Sequence, residues 1–220
     1  MKRSRIVDRA RLYLGYSEEN GKHKQIIDYY NNQKNLPRGY KMKYTDSWCA
    51  CFVSVVAMKE KATDIIPTEC SCQQMIERFK KLGEWHENEK YTPKAGDIIF
   101  YDWDDNGIGD CKGFADHVGI VERVNFGTIV VIEGNKSNKV ARRYIENNSR
   151  YIRGYGLPRY EEEKKVHKEK ETSKQKKEVR EIAKEVINGK WGNGQARKDA
   201  LKKAGYNPEE IQKEVNKILQ

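Results

Sequence analysis

Apolar residues along the chain follow a helical spacing first and a strand-like pattern later. Residues 4–14, 22–34 and 70–82 carry apolar side chains three or four positions apart, which predicts three amphipathic helices. From Pro93 onward, short runs rich in Ile, Val and Tyr are bounded by Gly, Asn and Asp, as in strands joined by turns. The predicted strands are Ile98–Tyr101, His117–Val124, Thr128–Glu133, Val140–Ile145 and Tyr151–Tyr155, with a hairpin turn at residues 125–127. This order predicts an α+β fold for residues 1–158, with N-terminal helices packed on an antiparallel sheet.

A further helix is predicted over Asp46–Lys59, and its pattern indicates that it is buried. Its apolar positions recur at helical spacing, namely Cys49, Phe52, Val53, Val56 and Ala57. Thr45, Asp46 and Ser47 are good N-cap residues, so the Cys49 sulfur is expected in the first turn, where free N–H groups favour an anion. Such surroundings can lower a cysteine pKa from about 8.5 to roughly 3.5–7.5. Cys49 is therefore a candidate nucleophile, and a small core residue is the alternative interpretation.

A cysteine nucleophile needs a base, and the base needs a partner that orients it. His117 opens a predicted strand, whereas His23, His86 and His167 lie in polar or charged stretches and are expected at the surface. Glu133 and Asn135 end the next strand, two residues apart, so either side chain is a candidate to hold the His117 ring. The alternatives are an ordinary strand histidine and a solvated acid at a strand end.

The C-terminal part of the chain has a different composition. Residues 159–177 are nearly all charged and have little to bury, which predicts a linker. Apolar periodicity returns in residues 178–220, where breaks at 189–194 and 205–208 separate three short helices. We therefore expect a first domain over 1–158 and a small three-helix bundle over 178–220.

Composition limits the classes of partner. The net charge of +10 favours polyanions such as nucleic acid, anionic lipid or the bacterial cell wall. Nucleic acid is not expected, because the basic residues cluster among acids in the linker and lack aromatic stacking partners. A membrane is not expected either, since no apolar stretch has transmembrane length and the N-terminus lacks the apolar core of a signal peptide. The chain is thus expected to be made in the cytoplasm, with its five cysteines reduced.

A short acidic stretch matches part of a calcium-binding loop. Asp102, Asp104, Asn106 and Asp110 occupy positions 1, 3, 5 and 9 of an EF-hand-like pattern, but Gly113 stands where the bidentate glutamate belongs. A polar hairpin is the alternative. A structural calcium ion there would brace the segment before His117 without taking part in the chemistry, and chelation would then lower activity. No cofactor is expected for the chemistry itself, and the Cys-x-Cys pairs are too closely spaced to predict a zinc site.

Several segments of residues 1–158 together resemble the CHAP domain (cysteine, histidine-dependent amidohydrolase/peptidase) of peptidoglycan hydrolases. These segments are LGYSEENG (14–21), SWCACFVS (47–54), PKAGDIIFYDWD (93–104), DHVGIVE (116–122), IEGN (132–135) and IRGYGLPRY (152–160). The resemblance implies a papain-like fold with Cys49 as nucleophile, His117 as base and acid, Glu133 as orienting group and Asn135 as supporting polar group. Trp48, beside the nucleophile, is a candidate to line the substrate cleft, and a buried aromatic residue is the alternative.

Residues 182–219 resemble the cell-wall-binding repeat at the C-terminus of a pneumococcal-phage lysozyme, above all in the run GKWGNGQARKDAL. The resemblance implies muropeptide binding at or near Gly192, Asn193, Gly194, Gln195 and Arg197. Arg197 is expected to make a forked contact with a stem-peptide carboxylate. Relatives of this type often carry several repeats, so a single repeat suggests weak binding unless chains self-associate.

The sequence thus predicts an endolysin-like peptidoglycan hydrolase that acts at the bacterial cell wall after release from the cytoplasm. The bond cut is left open between N-acetylmuramoyl-L-alanine and a peptide bond of the stem or cross-bridge. The alternative is a non-catalytic cell-wall-binding or virion structural protein.

Overall fold

A computed structural model describes residues 1–88, 90–105, 113–161 and 179–219. The chain forms two compact units, Met1–Glu161 and Glu162–Gln220. Asn106, Asp110, His167 and most of the predicted linker lie outside the described residues. None of the described helices combines the length and the apolar character that crossing a lipid bilayer demands.

The first unit begins with four α-helices and a short 3₁₀ turn. The helices are α1 (Arg3–Arg11), α2 (His23–Asn31), α3 (Cys49–Lys59) and α4 (Cys72–Lys81), and the turn is Pro37–Gly39. Every residue of α3 from Cys49 to Ala57 is buried, so this helix is enclosed on all sides. The prediction of a buried helix is confirmed, and the burial extends beyond the single apolar stripe that the spacing indicated.

The helices are followed by a six-stranded, wholly antiparallel sheet. Its strands are β1 (Trp85–His86), β2 (Ile98–Tyr101), β3 (His117–Asn125), β4 (Thr128–Glu133), β5 (Ala141–Glu146) and β6 (Ile152–Gly156), in the spatial order β1-β6-β2-β3-β4-β5. The predicted α+β class is confirmed. Five of these strands were predicted to within two residues, and the two-residue strand β1 was not.

The turn between β3 and β4 shows why the hairpin could be predicted. Asn125 pairs with Thr128, and the two residues between them, Phe126 and Gly127, have φ angles of 46° and 80°. Two successive positive φ angles characterise the turn whose twist matches antiparallel strands. Glycine adopts this conformation without a steric penalty, so Gly127 marks the turn in the sequence.

The main core lies between the helices and one face of the sheet. Ile98, Phe100, Val118, Ile120 and Ile132 face the helices and belong to one buried cluster with α3. Because side chains alternate along a strand, Ile99, Tyr101, Val121 and Val131 form a second cluster on the opposite face. Both faces of the central strands are therefore buried.

The start of α3 differs from the expected cap. The N-cap residue is Trp48, which makes no side-chain capping bond, and the helix begins at Cys49 itself. Asp46 instead closes the preceding turn, where its carboxylate accepts hydrogen bonds from the Lys43 N–H (2.8 Å) and the Tyr40 hydroxyl (2.9 Å). The expectation that residues 45–47 cap the helix was wrong, but the sulfur does lie in its first turn.

The last residues of the first unit pack onto it. Tyr160 is fully buried, its hydroxyl donates to the Gly96 carbonyl (2.7 Å), and the Arg3 guanidinium lies over its ring. Residues 159–161 therefore belong with this unit and not with the linker to which the sequence assigned them.

The second unit contains the three predicted helices. Residues 179–187 form α5, and α6 (Gly194–Lys203) and α7 (Pro208–Ile218) follow. Ala183, Val186, Leu201, Ile211 and Val215 form the small buried core. Trp191 closes one side of it, packing edge-to-face on Tyr206 at 6.0 Å between ring centroids.

Candidate active site

Cys49 lies where α3 meets the sheet. It is the first residue of the helix and is 4% exposed, and α3 packs against β3 and β4. The approach of β4 depends on Gly134, because a Cβ atom there would lie 2.4 Å from the Phe52 Cβ. The end of β4 therefore passes directly against the first turns of α3.

His117 and Glu133 are in contact. Glu133 is fully buried, and its Oε2 lies 3.0 Å from His117 Nε2. The other ring nitrogen, Nδ1, is not used by Glu133, and His117 lies close enough to Cys49 for each residue to shift the pKa of the other. The structure thus brings together three of the four residues that the sequence singled out for catalysis, in the order nucleophile, base and carboxylate.

Gly119 makes room for this contact. A Cβ atom at Gly119 would lie 2.7 Å from the Glu133 Cγ and 2.5 Å from the Val131 Cγ1. Real Cβ atoms do not approach so closely, so a larger residue would displace the glutamate from its place beside the histidine. Gly119 lies within the segment DHVGIVE, but no pattern in the sequence indicates this role.

Arg143 holds Glu133 from the other side. Its Nε lies 2.7 Å from Oε1 and 2.9 Å from Oε2, and its guanidinium lies over the Trp103 ring at 4.6 Å. Trp103 stacks on Tyr101 with 4.6 Å between ring centroids, and Tyr101 in turn lies 6.0 Å from the His117 ring. This aromatic layer covers the His117–Glu133 pair. Sequence reasoning missed Arg143, since one arginine in a strand carries no distinctive pattern.

Electrostatics favour a charged pair of Cys49 and His117. The hydrogen bond between the Cys49 and Cys72 sulfurs and the interactions with His117 hold the pKa of Cys49 well below its ordinary value, although burial opposes this. Burial alone would lower the pKa of His117, but its hydrogen bonds to Cys49 and Glu133 raise it to about 9. Burial also works against the charge of Glu133, yet His117 and Arg143 keep its pKa below the ordinary value. The directions of all three pKa shifts therefore favour the charged forms, namely thiolate, imidazolium and carboxylate.

A cleft opens beside the nucleophile. Cys49 and Cys72 lie at its floor, and Tyr40, Asp46, Phe114 and Asp116 are among its walls. Phe114 is 67% exposed, so an apolar side chain stands free at the rim. The Cys49 side chain, although only 4% exposed, thus borders this cleft.

Two parts of the chain match known protein families. Residues 39–135 match the sequence profile of the CHAP domain, and residues 180–219 match that of the CW_7 repeat. The chain contains a CHAP domain and a CW_7 repeat. The matched CHAP segment includes Cys49, His117, Glu133 and Asn135.

The similar proteins cover only parts of the chain. The lysozyme of Streptococcus phage Cp-7 is 52% identical over 42 residues, which are 19% of this chain and 12% of that protein. Two crystal structures of Ly7917, one with the hydrolysing product of MDP, are 16% identical with a TM-score of 0.43. These matches cover 71% and 72% of this chain but 63% and 62% of the Ly7917 chains. The chain therefore spans less than two thirds of each relative.

Three side chains of the CHAP domain differ from expectation. Trp48 is fully buried and donates from Nε1 to Glu18 (3.1 Å), so it does not line the cleft. Beside it lies His23, which is buried and was wrongly expected at the surface. Asn135 follows β4 with a φ of 56°, and its Oδ1 is buried without a hydrogen-bond partner among the described residues. Glu133, and not Asn135, is the residue that touches the imidazole.

The predicted calcium loop is described only in part. Asp102 is buried, and its Oδ1 accepts a hydrogen bond from the Asp104 N–H (3.1 Å). Burial and the neighbouring carboxylates of Asp116, Asp105 and Asp104 raise the pKa of Asp102. The described residues hold no group of three acidic, histidine or cysteine side chains arranged to bind a metal. Since Asn106 and Asp110 lie outside the described residues, calcium binding stays a prediction.

The CW_7 repeat places its predicted binding residues around the start of α6. Gly192, Asn193, Gly194 and Gln195 are exposed. Arg197, however, donates to the Gly192 carbonyl and to the Asn193 side chain, each at 2.9 Å, so its fork already holds this turn. Arg197 also lines a groove between α6 and α7 with Lys198, Lys202 and Lys213. The positively charged groove, and not a free Arg197 guanidinium, is therefore the candidate anion-binding surface of the repeat.

Proposed function

We propose that this chain is a cysteine-dependent peptidoglycan hydrolase that cleaves an amide bond of the bacterial cell wall. The observation that carries the proposal is the contact of His117 with Glu133 beside Cys49, together with the mutual interaction that lowers the pKa of Cys49 and helps to raise that of His117 to about 9. A nucleophile, a proton donor and an orienting carboxylate are what amide cleavage by a thiol requires.

The reaction proceeds in two stages. The Cys49 thiolate attacks the amide carbonyl carbon, and backbone N–H groups at the start of α3 stabilise the negative oxygen. His117 gives its proton to the nitrogen of the breaking C–N bond, and the amine leaves. In the second stage His117, now neutral, takes a proton from water, and the hydroxide attacks the thioester and frees Cys49. Glu133, fixed by Arg143, stabilises the imidazolium in both stages, and Asn135 is a supporting polar group.

The CW_7 repeat supports the cell wall as the site of action. A phage lysozyme is 52% identical to this chain over 42 residues, and the groove between α6 and α7 is lined by lysines suited to anionic groups. Gly192, Asn193, Gly194 and Gln195 lie at the same end of α6, where a muropeptide carboxylate can bind. Self-association of chains would add avidity to this single repeat.

The proposed biological role is that of an endolysin that acts at the bacterial cell wall after release. The amide cut is either the muramoyl-L-alanine bond or a peptide bond of the stem or cross-bridge. Calcium bound at residues 102–110 would brace the segment before His117 and take no part in the chemistry.

The test is zymography on cell-wall gels with the wild type, Cys49→Ala and Cys51→Ala. We expect clearing by the wild type and by Cys51→Ala, because Cys51 is a buried thiol outside the array, and none by Cys49→Ala. Clearing by Cys49→Ala would overturn the mechanism, and binding without clearing by the wild type would favour a non-catalytic wall protein. Mass spectrometry of the digest then identifies the bond, since new L-alanine amino termini indicate an amidase and other new termini an endopeptidase.

A further inference from the structure

A second thiol lies against the candidate nucleophile. The sulfur atoms of Cys49 and Cys72 are 3.5 Å apart, and both side chains are buried. Each cysteine is the first residue of a helix, Cys49 of α3 and Cys72 of α4. The starts of the two helices therefore converge on one sulfur pair.

Several hydrogen bonds fix this convergence. Ser54, a buried polar residue of α3, donates from its hydroxyl to the Glu69 carbonyl (2.6 Å) and accepts from the Glu69 N–H (2.7 Å). The Ser71 side chain caps α4, and Gln73 accepts a hydrogen bond from the Ala115 N–H (3.3 Å), two residues before His117. The segment that carries Cys72 is thus tied both to α3 and to the residues that lead into β3.

We propose that Cys72 is a positioning residue of this active site, whose thiol donates a hydrogen bond to the Cys49 thiolate. The inference rests on the proposed function, in which Cys49 is the nucleophile. A hydrogen bond to a charged acceptor is stronger than one between neutral groups, and burial of the pair strengthens it further.

Other charged and titratable groups also surround the pair. His117 faces Cys49 from β3 with Glu133 behind it, Asp116 precedes β3, and Asp46 lies on the wall of the cleft. Donation to Cys49, together with burial and the nearby Asp116 charge, raises the pKa of Cys72 well above its ordinary value. Cys72 therefore keeps its proton at pH values where Cys49 is ionised, so in amide cleavage it acts as a hydrogen-bond donor and Cys49 as the nucleophile.

The contact also determines how the site responds to peroxide. Attack of the Cys49 thiolate on hydrogen peroxide breaks the O–O bond, forms a sulfenic acid and releases hydroxide. The Cys72 sulfur can then attack the Cys49 sulfur, so that the S–S bond forms, the S–O bond breaks and water leaves with the Cys72 proton. Peroxide thus accepts two electrons in all, and a thiol reductant restores both cysteines.

The first test measures the pH dependence of Cys49 alkylation by iodoacetamide in the full chain, read by mass spectrometry of the Cys49 peptide. Cys72→Ala should raise the midpoint by about one pH unit, the size expected for a hydrogen bond to a charged group. Cys72→Ser keeps a donor and should stay closer to the wild type, and Cys51→Ala should not shift the midpoint. An unchanged midpoint for Cys72→Ala overturns the proposal.

The second test uses peroxide and does not depend on the alanine variant folding. In the wild type, peroxide should produce a Cys49–Cys72 disulfide, seen as the loss of the mass of two hydrogen atoms, and a reductant should restore both free thiols. In the Cys72→Ser variant, Cys49 should instead be oxidised irreversibly. A peptide map without the Cys49–Cys72 link contradicts the proposed contact. Both readouts are independent of wall hydrolysis. A wild type that does not hydrolyse cell walls would refute the proposed function, and the alkylation and peroxide tests would still decide the proposed role of Cys72.

Discussion

At the scale of single residues, the ionisation of His117 limits the pH range of the reaction. In the proposed mechanism the leaving amine takes its proton from His117, whose pKa is raised to about 9. Activity should therefore fall on the alkaline side near pH 9, as the imidazolium is lost. Glu133→Gln removes a negative charge that raises this pKa, so its alkaline limb should move to lower pH. Initial rates of cell-wall turbidity loss across pH test this, and an unmoved limb would show that Glu133 does not set the ionisation of His117.

Arg143 offers a second test at this scale. Its guanidinium contacts both oxygens of Glu133 and helps to keep that carboxylate ionised. Arg143→Gln should lower kcat/KM roughly tenfold to a hundredfold, because a charge-assisted hydrogen bond contributes about 1.5–3 kcal/mol.

The neighbouring residue provides a matched control for this variant. Arg142, also on β5, contacts Glu122 through hydrogen bonds of 2.7 and 2.9 Å. Arg142→Gln should therefore leave kcat/KM near the wild-type value. Equal losses of kcat/KM in the two variants would mean that substitutions on β5 lower activity by destabilising the fold and not by disturbing Glu133.

At the scale of elements, substitutions at two glycines of the sheet distinguish an effect on catalysis from an effect on packing. Gly119→Ala would place a Cβ atom 2.7 Å from the Glu133 Cγ and so displace the carboxylate from His117. We expect a loss of activity per folded molecule of roughly tenfold or more, because a small misplacement of an orienting group is costly.

Gly156→Ala is the control, since its Cβ atom would lie 2.6 Å from the Phe79 ring, between β6 and α4. It should lower the free energy of unfolding by about 1–3 kcal/mol through overpacking, with normal activity in the folded fraction. Denaturant titration and rate measurements on the same samples distinguish the two effects. Normal activity of folded Gly119→Ala would contradict the steric role of Gly119.

At the scale of the whole molecule, the two units are expected to divide the work. Removal of residues 162–220 should leave cleavage of a soluble muropeptide intact, because the array lies within Met1–Glu161. Sedimentation with cell walls should show binding weakened roughly tenfold or more, since the second unit supplies an additional attachment. In the full chain, Lys198→Glu combined with Lys213→Glu should weaken binding in the same direction by reversing charge in the α6–α7 groove. If the truncated chain sediments with cell walls as well as the full chain does, the second unit does not anchor the protein to the wall.

Local patterns were sufficient for much of the architecture. The spacing of apolar residues located the four N-terminal helices, and the β-branched runs located β2 to β6, because these periodicities report which face of each element is buried. Short features escaped this reasoning, namely the two-residue strand β1 and the start of α3, where Trp48 replaced the expected polar cap. Contacts with distant segments formed both features, since β1 pairs with β6 and Trp48 is fully buried, and no local propensity reports such contacts.

The sequence by itself predicted the element types, the two-part organisation and the candidates Cys49 and His117 from periodicity and residue chemistry, and it singled out Glu133 over Asn135 only through the resemblance to the CHAP domain. Only the tertiary structure decided that Glu133 contacts His117 directly, that Trp48 and His23 are buried, and that Gly119, Arg143 and Cys72 surround the array. The physical reason is distance along the chain. Cys72 lies 23 residues from Cys49, and Glu133 lies 16 residues from His117. Their contacts arise only when separate elements pack together, and a one-dimensional pattern does not record which side chains then meet.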